Sequence, residues 1–539
     1  MKQASRRKFV FAAGATAGTA GLAAGLWRWY RAGHDAHAPH ALPKPPVAPP
    51  TAADDAFPNA LRLPGAAGLY GVVDHPRNLT LIAKPAAHEI LPGKPARLLA
   101  YEAEANGRTF LNPVLRVRTG AAMRVKFWNA LEETSIIHWH GLKVDSNNDG
   151  HPHYAVRGGA TYDYQFTVAN RAAMYWYHPH PHPLTGKQVY LGLAGLLIVE
   201  DEDDLALQKA LDLRLGATDI PLVLQDRKLD ANGAPVFAPS KDDRFHGHLG
   251  DQVLVNLTAR PHFAAATRLY RFRILNGSNA RVYRLGFRHG GKPLGYFVTG
   301  TDGGLLDKPY SVQDVFLSPG ERVDALLDLR AAAAGDTLSL VSLGFDAMHL
   351  EGGKGAPHAA HGALADGAEI ELLRIPVRSA VAYDRALPQS LSRIEPLATE
   401  NATNRTLTLD EAKAVWRING LTYDQKSTPI VVKRGTTELW EIRNVARSMP
   451  HPMHIHGVQF QVVARAGSPE QYRRIANAPR SLSPADLGWK DTVLVWPGET
   501  IRIAVDFTHP FMGDQVYMVH CHNLEHEDGG MMLNLKVAS

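Results

Sequence analysis

A weak threefold repeat is the feature that most limits how this 539-residue chain can fold. Each copy holds a stretch of alternating apolar and polar residues that ends at an asparagine, then a short loop and a second stretch. The copies begin at Met123, Leu269 and Leu439, their asparagines are Asn129, Asn276 and Asn444, and a shared glycine turn follows in segments that begin at Val156, Leu317 and Val495. Alternation with a period of two is typical of β-strands, and a spacing of about 150 residues suits one β-domain per copy. The repeat therefore predicts an all-β chain of three consecutive β-sandwich domains.

Changes in composition predict where these domains begin and end. An acidic run at 200–204 suits a link after the first domain, and a Gly/Ala/His-rich run at 351–367 suits a surface loop late in the second. We therefore expect domains at 56–200, 201–390 and 391–539. The Pro/Ala-rich residues 39–55 predict an extended linker ahead of them.

The N-terminal residues 1–38 resemble a targeting segment rather than part of a folded domain. Paired arginines follow Ser5 in "SRRKFV", and an apolar, Ala/Gly-rich run continues to about Leu26. This order is similar to a twin-arginine export signal, so we expect the export machinery of that pathway as a partner and a periplasmic or exported location. The alternative is the basic start of a membrane anchor, which would leave the protein tethered.

Charge and cysteine content exclude several classes of function. The net charge is +5 and no block of lysines and arginines lies beyond the N-terminus, so nothing supports a nucleic-acid partner. The one cysteine, Cys521, excludes an intramolecular disulfide, a cysteine-only zinc site and an iron–sulfur cluster. We expect a monomer.

Four segments stand out among the 26 histidines, because they hold 11 of them at close spacing. The segments are "HWHG" at 138–141, "WYHPHPH" at 176–182, "HPMHIHG" at 451–457 and "HCHNLEHEDGGMM" at 520–532. Residues i and i+2 of a strand point to the same face, so each His-x-His pair presents two imidazoles side by side. The middle repeat lacks such a pair at the matching place. The chemistry is therefore predicted in the first and third domains, with the second as a spacer or a wall.

These four segments, in this order, resemble the multicopper oxidase family of laccases and bacterial copper-tolerance oxidases. The "GTDGGLL" stretch at 300–306 matches as well. The resemblance implies cupredoxin-like Greek-key β-sandwiches and an oxidase with four copper ions. Such an oxidase takes single electrons from reducing substrates and reduces dioxygen to water.

The resemblance also implies how the ligands divide among the copper ions. A thiolate, two imidazoles and a weak thioether suit blue copper, and the type 1 set is expected to be Cys521, His451, His526 and Met531. The type 2 copper is expected on His138 and His454. The type 3 pair is expected on His140, His178, His180, His456, His520 and His522. These sets predict a cluster at the interface of domains one and three.

Alternation along a strand explains why Cys521 stands between two histidines. Neighbouring strand residues point to opposite faces, so Cys521 faces one copper while His520 and His522 face the others. The two sites are then on the order of 10 Å apart, and electrons cross through the main chain of Cys521.

Two acids are expected to supply protons to the oxygen site, by analogy with bacterial members of the family. Asp149 lies eleven residues after His138, and Glu527 follows His526. Their role would be general acid catalysis, since each dioxygen takes four protons. The alternatives are that Asp149 caps a turn and that Glu527 is a surface charge.

Other conspicuous residues are expected to lie outside the copper sites. The predicted non-ligands are His151, His153, His182, His246, His248 and Met532. Trp489, in "GWKDTV", is expected in the core or in a pocket wall rather than in catalysis.

The natural substrate is the least determined property. We expect laccase-like oxidation of phenols and aromatic amines, with the exposed edge of His526 as the electron entry point. The alternative is oxidation of cuprous ion, for which Met348, His349 and Glu351 are the best docking set; with only 10 methionines, the chain lacks a methionine-rich insert. In the first case the 344–362 stretch is only a rim. A cell-division relative without copper and a copper-sequestering protein are further alternatives.

Overall fold

The computed structural model describes residues 56–349 and 364–539. The predicted export signal, the linker and Glu351 lie outside the described residues. Strands dominate the described part and assemble into six sheets. No helix in this part is long and apolar enough to cross a membrane. The all-β prediction is confirmed.

The first pair of sheets carries the first repeat and shares one hydrophobic core. One sheet has the strand order Thr161–Thr167, Ala122–Asn129, Asn78–Leu91, Lys94–Ala105, Arg108–Leu111 and Gly68–Leu69. The other has the order Val72–Asp74, Val114–Arg118, Gly195–Glu200, Ala173–Pro179 and Ile137–His140. Neighbours in space are often distant in sequence, as in Greek-key connections.

The second pair of sheets carries the middle repeat around its own core. One sheet has the order Thr258–Ala259, Gln252–Val255, Asp219–Arg227, Leu269–Asn276, Arg322–Asp328, Tyr296–Thr301 and Gly304–Val312. The other has the order Asn59–Ala60, Pro261–His262, Ile370–Ser379, Thr337–Ser342, Tyr283–His289 and Lys292–Leu294, with Ala265–Ala266 and Asp314–Leu317 paired at its side. The chain therefore begins its described part by adding a short strand to the middle repeat.

The third pair of sheets carries the last repeat, and its core includes the cysteine. One sheet has the order Val415–Ile418, Thr403–Ala412, Thr437–Asn444, Thr500–Asp506 and Phe460–Ala466. The other has the order Ile430–Lys433, Met532–Ala538, Gln515–Cys521, His451–Ile455 and Thr492–Val495. The division into domains at 56–200, 201–390 and 391–539 stays a prediction.

The helices are short and lie between strands. The α-helices are Thr185–Tyr190, Glu202–Leu211, Lys241–His246, Glu470–Arg473 and Leu524–Asp528, and the 3₁₀ helices are Pro152–Tyr154, Pro479–Ser481 and Pro484–Asp486. The acidic run at 200–204 was expected only as a link, but it begins the helix Glu202–Leu211. Asp201 caps it by accepting from Asp204 N, and acidic side chains favour the positive end of the helix dipole.

The repeated asparagines explain why the two shared segments recur together. Each ends a strand, and its side-chain amide donates to the carbonyl that begins the second shared segment. The pairs are Asn129 to Val156 at 2.9 Å, Asn276 to Leu317 at 2.9 Å, and Asn444 to Val495 at 3.1 Å. Buried main-chain carbonyls need a donor. One side chain thus joins the same two segments in all three copies.

Candidate metal centres

The strand pair His451–Ile455 and Gln515–Cys521 places two kinds of ligand on opposite faces of one sheet. The antiparallel register sets Met453 opposite Cys521 and His454 opposite His520. Because side chains alternate along a strand, Cys521 shares a face with Met453 and His451, whereas His520 shares the other face with His454. All of them are buried.

The cysteine cluster, defined as Cys521, His451, His526 and Met531, lies on the first of these faces. Cys521 Sγ is 3.5 Å from His451 Nδ1 and 3.6 Å from His526 Nδ1. The short helix Leu524–Asp528, capped by the side chain of Asn523, presents His526. Met531 is held through its main chain, because Cys521 N donates to Met531 O at 3.1 Å. Met531, and not Met532, shares the buried core with the thiol.

The protonation of this cluster suits a soft metal ion. His526 Nε2 donates to Phe245 O at 2.9 Å, so its Nδ1 carries a lone pair towards the sulfur. Burial lowers the pKa of His451 to about 3, which keeps that ring neutral. Burial raises the pKa of the Cys521 thiol, so metal binding has to displace its proton. Two neutral imidazoles, the thiolate formed when that proton leaves and a thioether are the donors that suit blue copper.

The histidine cluster comprises the other histidines of the four segments. Its members are His138, His140, His178, His180, His454, His456, His520 and His522, all buried. Four of them come from strands Ile137–His140 and Ala173–Pro179 and the residues just after. The other four come from strands His451–Ile455 and Gln515–Cys521 and the residues just after. In the first strand pair, His138 lies opposite His178 and His140 opposite Trp176. The cluster therefore lies between the first and third repeats.

Within this cluster, His138 and His454 face each other in a way that a cation would stabilise. His138 Nδ1 donates to Asp149 O at 2.6 Å, and His454 Nδ1 donates to Asp491 O at 2.8 Å. Each ring is neutral, because burial lowers both pKa values well below the usual range. Their Nε2 lone pairs therefore point at each other, 3.4 Å apart. Two facing lone pairs repel, and a shared metal ion would convert that repulsion into bonding.

A second convergence involves His180, His456 and His520. His520 Nε2 is 2.9 Å from His456 Nε2 and 3.4 Å from His180 Nε2. His456 Nδ1 donates to Asp149 Oδ2 at 2.7 Å, and His520 Nδ1 donates to Cys521 O at 3.1 Å. The Nε2 atoms of His456 and His520 therefore carry lone pairs that face the centre of this group.

A third convergence involves His140, His178 and His522, whose ring centroids lie 5.0 to 5.6 Å apart. Of their ring nitrogens, His140 Nδ1, His178 Nε2 and both nitrogens of His522 are buried and have no hydrogen-bond partner within residues 56–349 and 364–539. Buried polar atoms normally have a partner. The donor set fits copper ions, and the same residues were predicted from the sequence.

Both predicted acids reach the histidine cluster. Asp149 holds His456 through its carboxylate and His138 through its carbonyl, and burial raises the pKa of Asp149 well above its usual range. Glu527 Oε1 is 3.4 Å from His180 Nε2, and its Oε2 is 3.2 Å from His520 Nδ1. Glu527 is 1% exposed, so the alternative of a surface charge is wrong.

Two neighbours of the histidine cluster were not found from the sequence. Trp176 packs its ring 4.2 Å from that of His178 and closes one side. Asp491 Oδ1 lies 3.0 Å from His140 Nε2. Trp176 stands two residues before His178 on the strand Ala173–Pro179, so alternation along the strand could have placed it on the same face. Asp491 lies 351 positions from His140, and only the packing of distant segments brings it to the site.

The middle repeat forms a wall of the histidine cluster. A Cβ added at Gly320 would lie 2.9 Å from His522 Cδ2 and 3.1 Å from His140 Cε1. The loop before strand Arg322–Asp328 therefore packs directly on two imidazoles, and only glycine fits there. Of the two roles expected for this domain, the structure shows a wall.

Most residues predicted to be non-ligands have other partners. His151 bonds Asn534, His153 bonds Gln425, His182 packs on Tyr423 and His248 lies 3.5 Å from Asp243. Trp489 is half-buried, and its carbonyl accepts from Gly303 N at 2.7 Å. His246 pairs with Asp242 at 3.0 Å, but it also follows Phe245, whose carbonyl binds His526 of the cysteine cluster, and its ring lies 5.8 Å from that of His349.

Comparison with known proteins places this site in a family. Models described as "Multicopper oxidase" match residues 98–204 and 396–539. A laccase of Bacillus subtilis is 30% identical over 83% of this chain and 90% of its own length. This chain is a multicopper oxidase. Its multicopper oxidase and laccase relatives indicate a copper-dependent oxidoreductase with oxygen as acceptor.

Two further relatives frame the family. The crystal structure of the McoA multicopper oxidase from Aquifex aeolicus is 40% identical, with a TM-score of 0.80, over 89% of this chain and 99% of that one. The likeness confirms the cupredoxin-like fold. The cell division protein FtsP of Xenorhabdus nematophila is 31% identical over 79% of this chain and 83% of its own length. Proteins similar to this chain thus include both oxidases and a cell division protein. The residues of the site are needed to distinguish these two roles.

We predict that Cys521→Ser abolishes the intense blue absorption of the copper-loaded multicopper oxidase and its turnover. A hydroxyl is a hard, neutral ligand and cannot replace a soft thiolate. Copper analysis should show that the histidine cluster still loads, because its imidazoles are untouched. Met532→Leu, one residue from the thioether, is the matched control and should keep the blue band. A blue band in Cys521→Ser would contradict the assignment.

Proposed function

We propose that this multicopper oxidase holds four copper ions and couples one-electron oxidation of small reducing substrates to reduction of dioxygen to water. The cysteine cluster would hold the type 1 copper and His138 with His454 the type 2 copper. His180, His456 and His520 would hold one type 3 copper, and His140, His178 and His522 the other. Bound copper would supply the one-electron redox chemistry at both clusters.

The observation that carries this proposal is the alternation at Cys521. Its side chain belongs to the cysteine cluster, while the neighbouring His520 and His522 belong to the histidine cluster. The hydrogen bond from His520 Nδ1 to Cys521 O adds a second short connection, at 3.1 Å. A protein that only sequesters copper would not need this link between unlike clusters. A cell-division role without copper would not need every ligand position filled.

Protons would reach the oxygen site through the two buried acids. Glu527 lies between His180 and His520, within 3.4 Å of each, and can pass a proton from its carboxyl oxygens into the histidine cluster. Asp149 would fulfil the same need on the other side, beside His456.

Glu527→Gln is expected to separate proton delivery from copper binding. The amide keeps the size of the side chain but cannot release a proton, so oxygen reduction should slow by about 100-fold or more. Stopped-flow mixing of the fully reduced variant with oxygen measures this step. Copper content and reduction of the blue centre should stay near wild type. Reoxidation at the wild-type rate would remove Glu527 from the mechanism.

The electron entry point differs from the sequence expectation. His526 was expected to expose an edge, but the side chain is only 2% exposed. Its Nε2 is covered by the carbonyl of Phe245, and the Phe245 ring stacks on Trp416 with centroids 4.9 Å apart. Helix Lys241–His246 from the middle repeat causes this cover. Electrons from phenols and aromatic amines would therefore enter across Phe245 and Trp416.

Cuprous ion is a second candidate substrate, favoured by a pair of histidines. His246 and His349 have ring centroids 5.8 Å apart. Asp242 bonds His246 at 3.0 Å and Asp366 bonds His349 at 2.8 Å, which is how carboxylates orient metal-binding imidazoles. His246 directly follows Phe245, whose carbonyl binds His526. A copper ion bound there would have a short path to the cysteine cluster.

Replacing both His246 and His349 by alanine distinguishes the two substrate classes. If cuprous ion docks there, steady-state oxidation of cuprous ion should fall at least about 10-fold, with phenol turnover changed less than a few-fold. His289→Ala, a half-exposed histidine paired with Asp336, is the control. Equal retention of both activities would show that cuprous ion does not dock at this pair of histidines.

We also propose that residues 1–38 direct export to the periplasm through the twin-arginine machinery and that the protein acts there as a monomer. The support is the paired arginines ahead of an apolar run. Changing Arg6 and Arg7 to lysine should retain the oxidase in the cytoplasm, measured by cell fractionation. Unchanged export of this variant would contradict the proposal.

A further inference from the structure

Arg322 lies where all three repeats meet and uses every N–H of its guanidinium. Its side chain is 2% exposed. Nε donates to Met174 O at 3.1 Å, Nη1 to Gly320 O at 2.9 Å, and Nη2 to Asp302 O at 2.9 Å. The two remaining donors form a fork on Asp491, at 2.7 and 2.6 Å. Such a fork fixes the plane and the position of a carboxylate.

Asp491 in turn touches two histidines that are proposed to bind different copper ions. Its Oδ1 accepts from His140 Nε2 at 3.0 Å, and its main-chain carbonyl accepts from His454 Nδ1 at 2.8 Å. Since Nε2 of His140 carries the proton, Nδ1 must carry the lone pair that faces the cluster. The other type 3 rings whose partners are resolved, such as His178 and His456, use Nδ1 as the donor instead. His140 therefore presents Nδ1 to the cluster, whereas those rings present Nε2.

Asp491 itself is not suited to be a ligand, although it lies among imidazoles. The Arg322 fork occupies both oxygens and compensates the charge. The packing is tight as well, because a Cβ added at Gly141 would lie 2.4 Å from Asp491 Oδ2 and 2.9 Å from Arg322 Nη2. Carboxylates that hold the far nitrogen of a metal-binding histidine set its tautomer and orientation.

We propose that Arg322, from the repeat that carries none of the predicted ligands, is a positioning residue for the copper sites of the histidine cluster. It holds Asp491 so that His140 presents Nδ1 and His454 presents Nε2. The middle repeat thus takes part in building the oxygen site as well as enclosing it. This inference rests on the proposed assignment of His140 and His454 as copper ligands.

The competing explanation is that Arg322 and Asp491 are only an ionic link that stabilises the packing of the repeats. Arg465 and Asp486 form a matched pair, with Nη2 to Oδ1 at 2.7 Å and both side chains buried. No hydrogen bond joins either of them to a copper-ligand candidate in the described part of the chain. Loss of stability without loss of a particular copper site is therefore expected for Arg465→Met.

The test measures copper retention in the full chain, with copper ion as the probe. Arg322→Met, Arg465→Met and wild type are loaded, then titrated with a chelator. Total copper, blue absorbance and electron paramagnetic resonance report each site separately. For Arg322→Met we expect copper affinity of the histidine cluster to fall about 10- to 100-fold. Blue absorbance should persist, because all four type 1 candidates come from the last repeat, and it also shows that the variant has folded.

A double variant separates position from charge. Removing Arg322 alone leaves a buried carboxylate unpaired, which has its own cost. Arg322→Met with Asp491→Asn removes that charge but keeps an oxygen that can accept from His140 Nε2. We expect the double variant to remain impaired in copper retention. Full recovery would show that Arg322 only neutralises Asp491, and parallel loss of all copper sites in Arg322→Met and Arg465→Met would show a merely structural role; either overturns the inference.

The wild-type measurement keeps this test apart from the proposed function. If wild type loads no copper at the histidine cluster, the ligand assignment itself fails. If wild type loads that cluster and Arg322→Met retains its copper as tightly, only the positioning role fails.

Discussion

The register between strands His451–Ile455 and Gln515–Cys521 is the constraint on which both metal centres depend. It pairs Met453 with Cys521 and His454 with His520, so that one face carries the thiol and the other the imidazoles. Because side chains alternate with a period of two, a slip by one residue would exchange the two faces completely. The hydrophobic core under Cys521 fixes the register, since Val519 and Met453 are fully buried on that same face. The register that buries the core therefore also separates the cysteine cluster from the histidine cluster.

Burying the histidine cluster without a metal ion is costly, and the fold limits that cost. Burial lowers the pKa of His178 to about 4 and of His180 to about 3, so both rings are neutral. Main-chain carbonyls or carboxylates accept from the outward nitrogen of most rings, as Asp149 O does from His138. Each neutral ring then directs its lone pair inward. The protein therefore prepares donors for cations before any ion is present, which is the physical basis for the copper assignment.

The middle repeat shares its local structure with the other two repeats but contributes differently to the two clusters. It retains the bond from Asn276 to Leu317 that the other repeats make with Asn129 and Asn444, and so retains their local geometry. Its matching strand, Tyr283–His289, has no His-x-His pair. Instead, it places Gly320 against two imidazoles, the fork of Arg322 on Asp491 and the carbonyl of Phe245 on His526. Its contribution to both centres is contact and hydrogen bonding rather than ligation.

The sequence by itself determined what is local or repeated. Alternation predicted the strands, the asparagine markers predicted the repeat, and His-x-His pairs with Cys521 predicted the ligand types, because a strand sets which neighbours share a face. Only the tertiary structure decided which ring nitrogen faces a cluster, the burial of His526, the closeness of His246 and His349, and the position of Asp491. Those features arise between residues far apart in the chain: Asp491 and His140 are separated by 351 positions, and Arg322 comes from a third region. No periodicity encodes such contacts, since they exist only once the three sheet pairs have packed together.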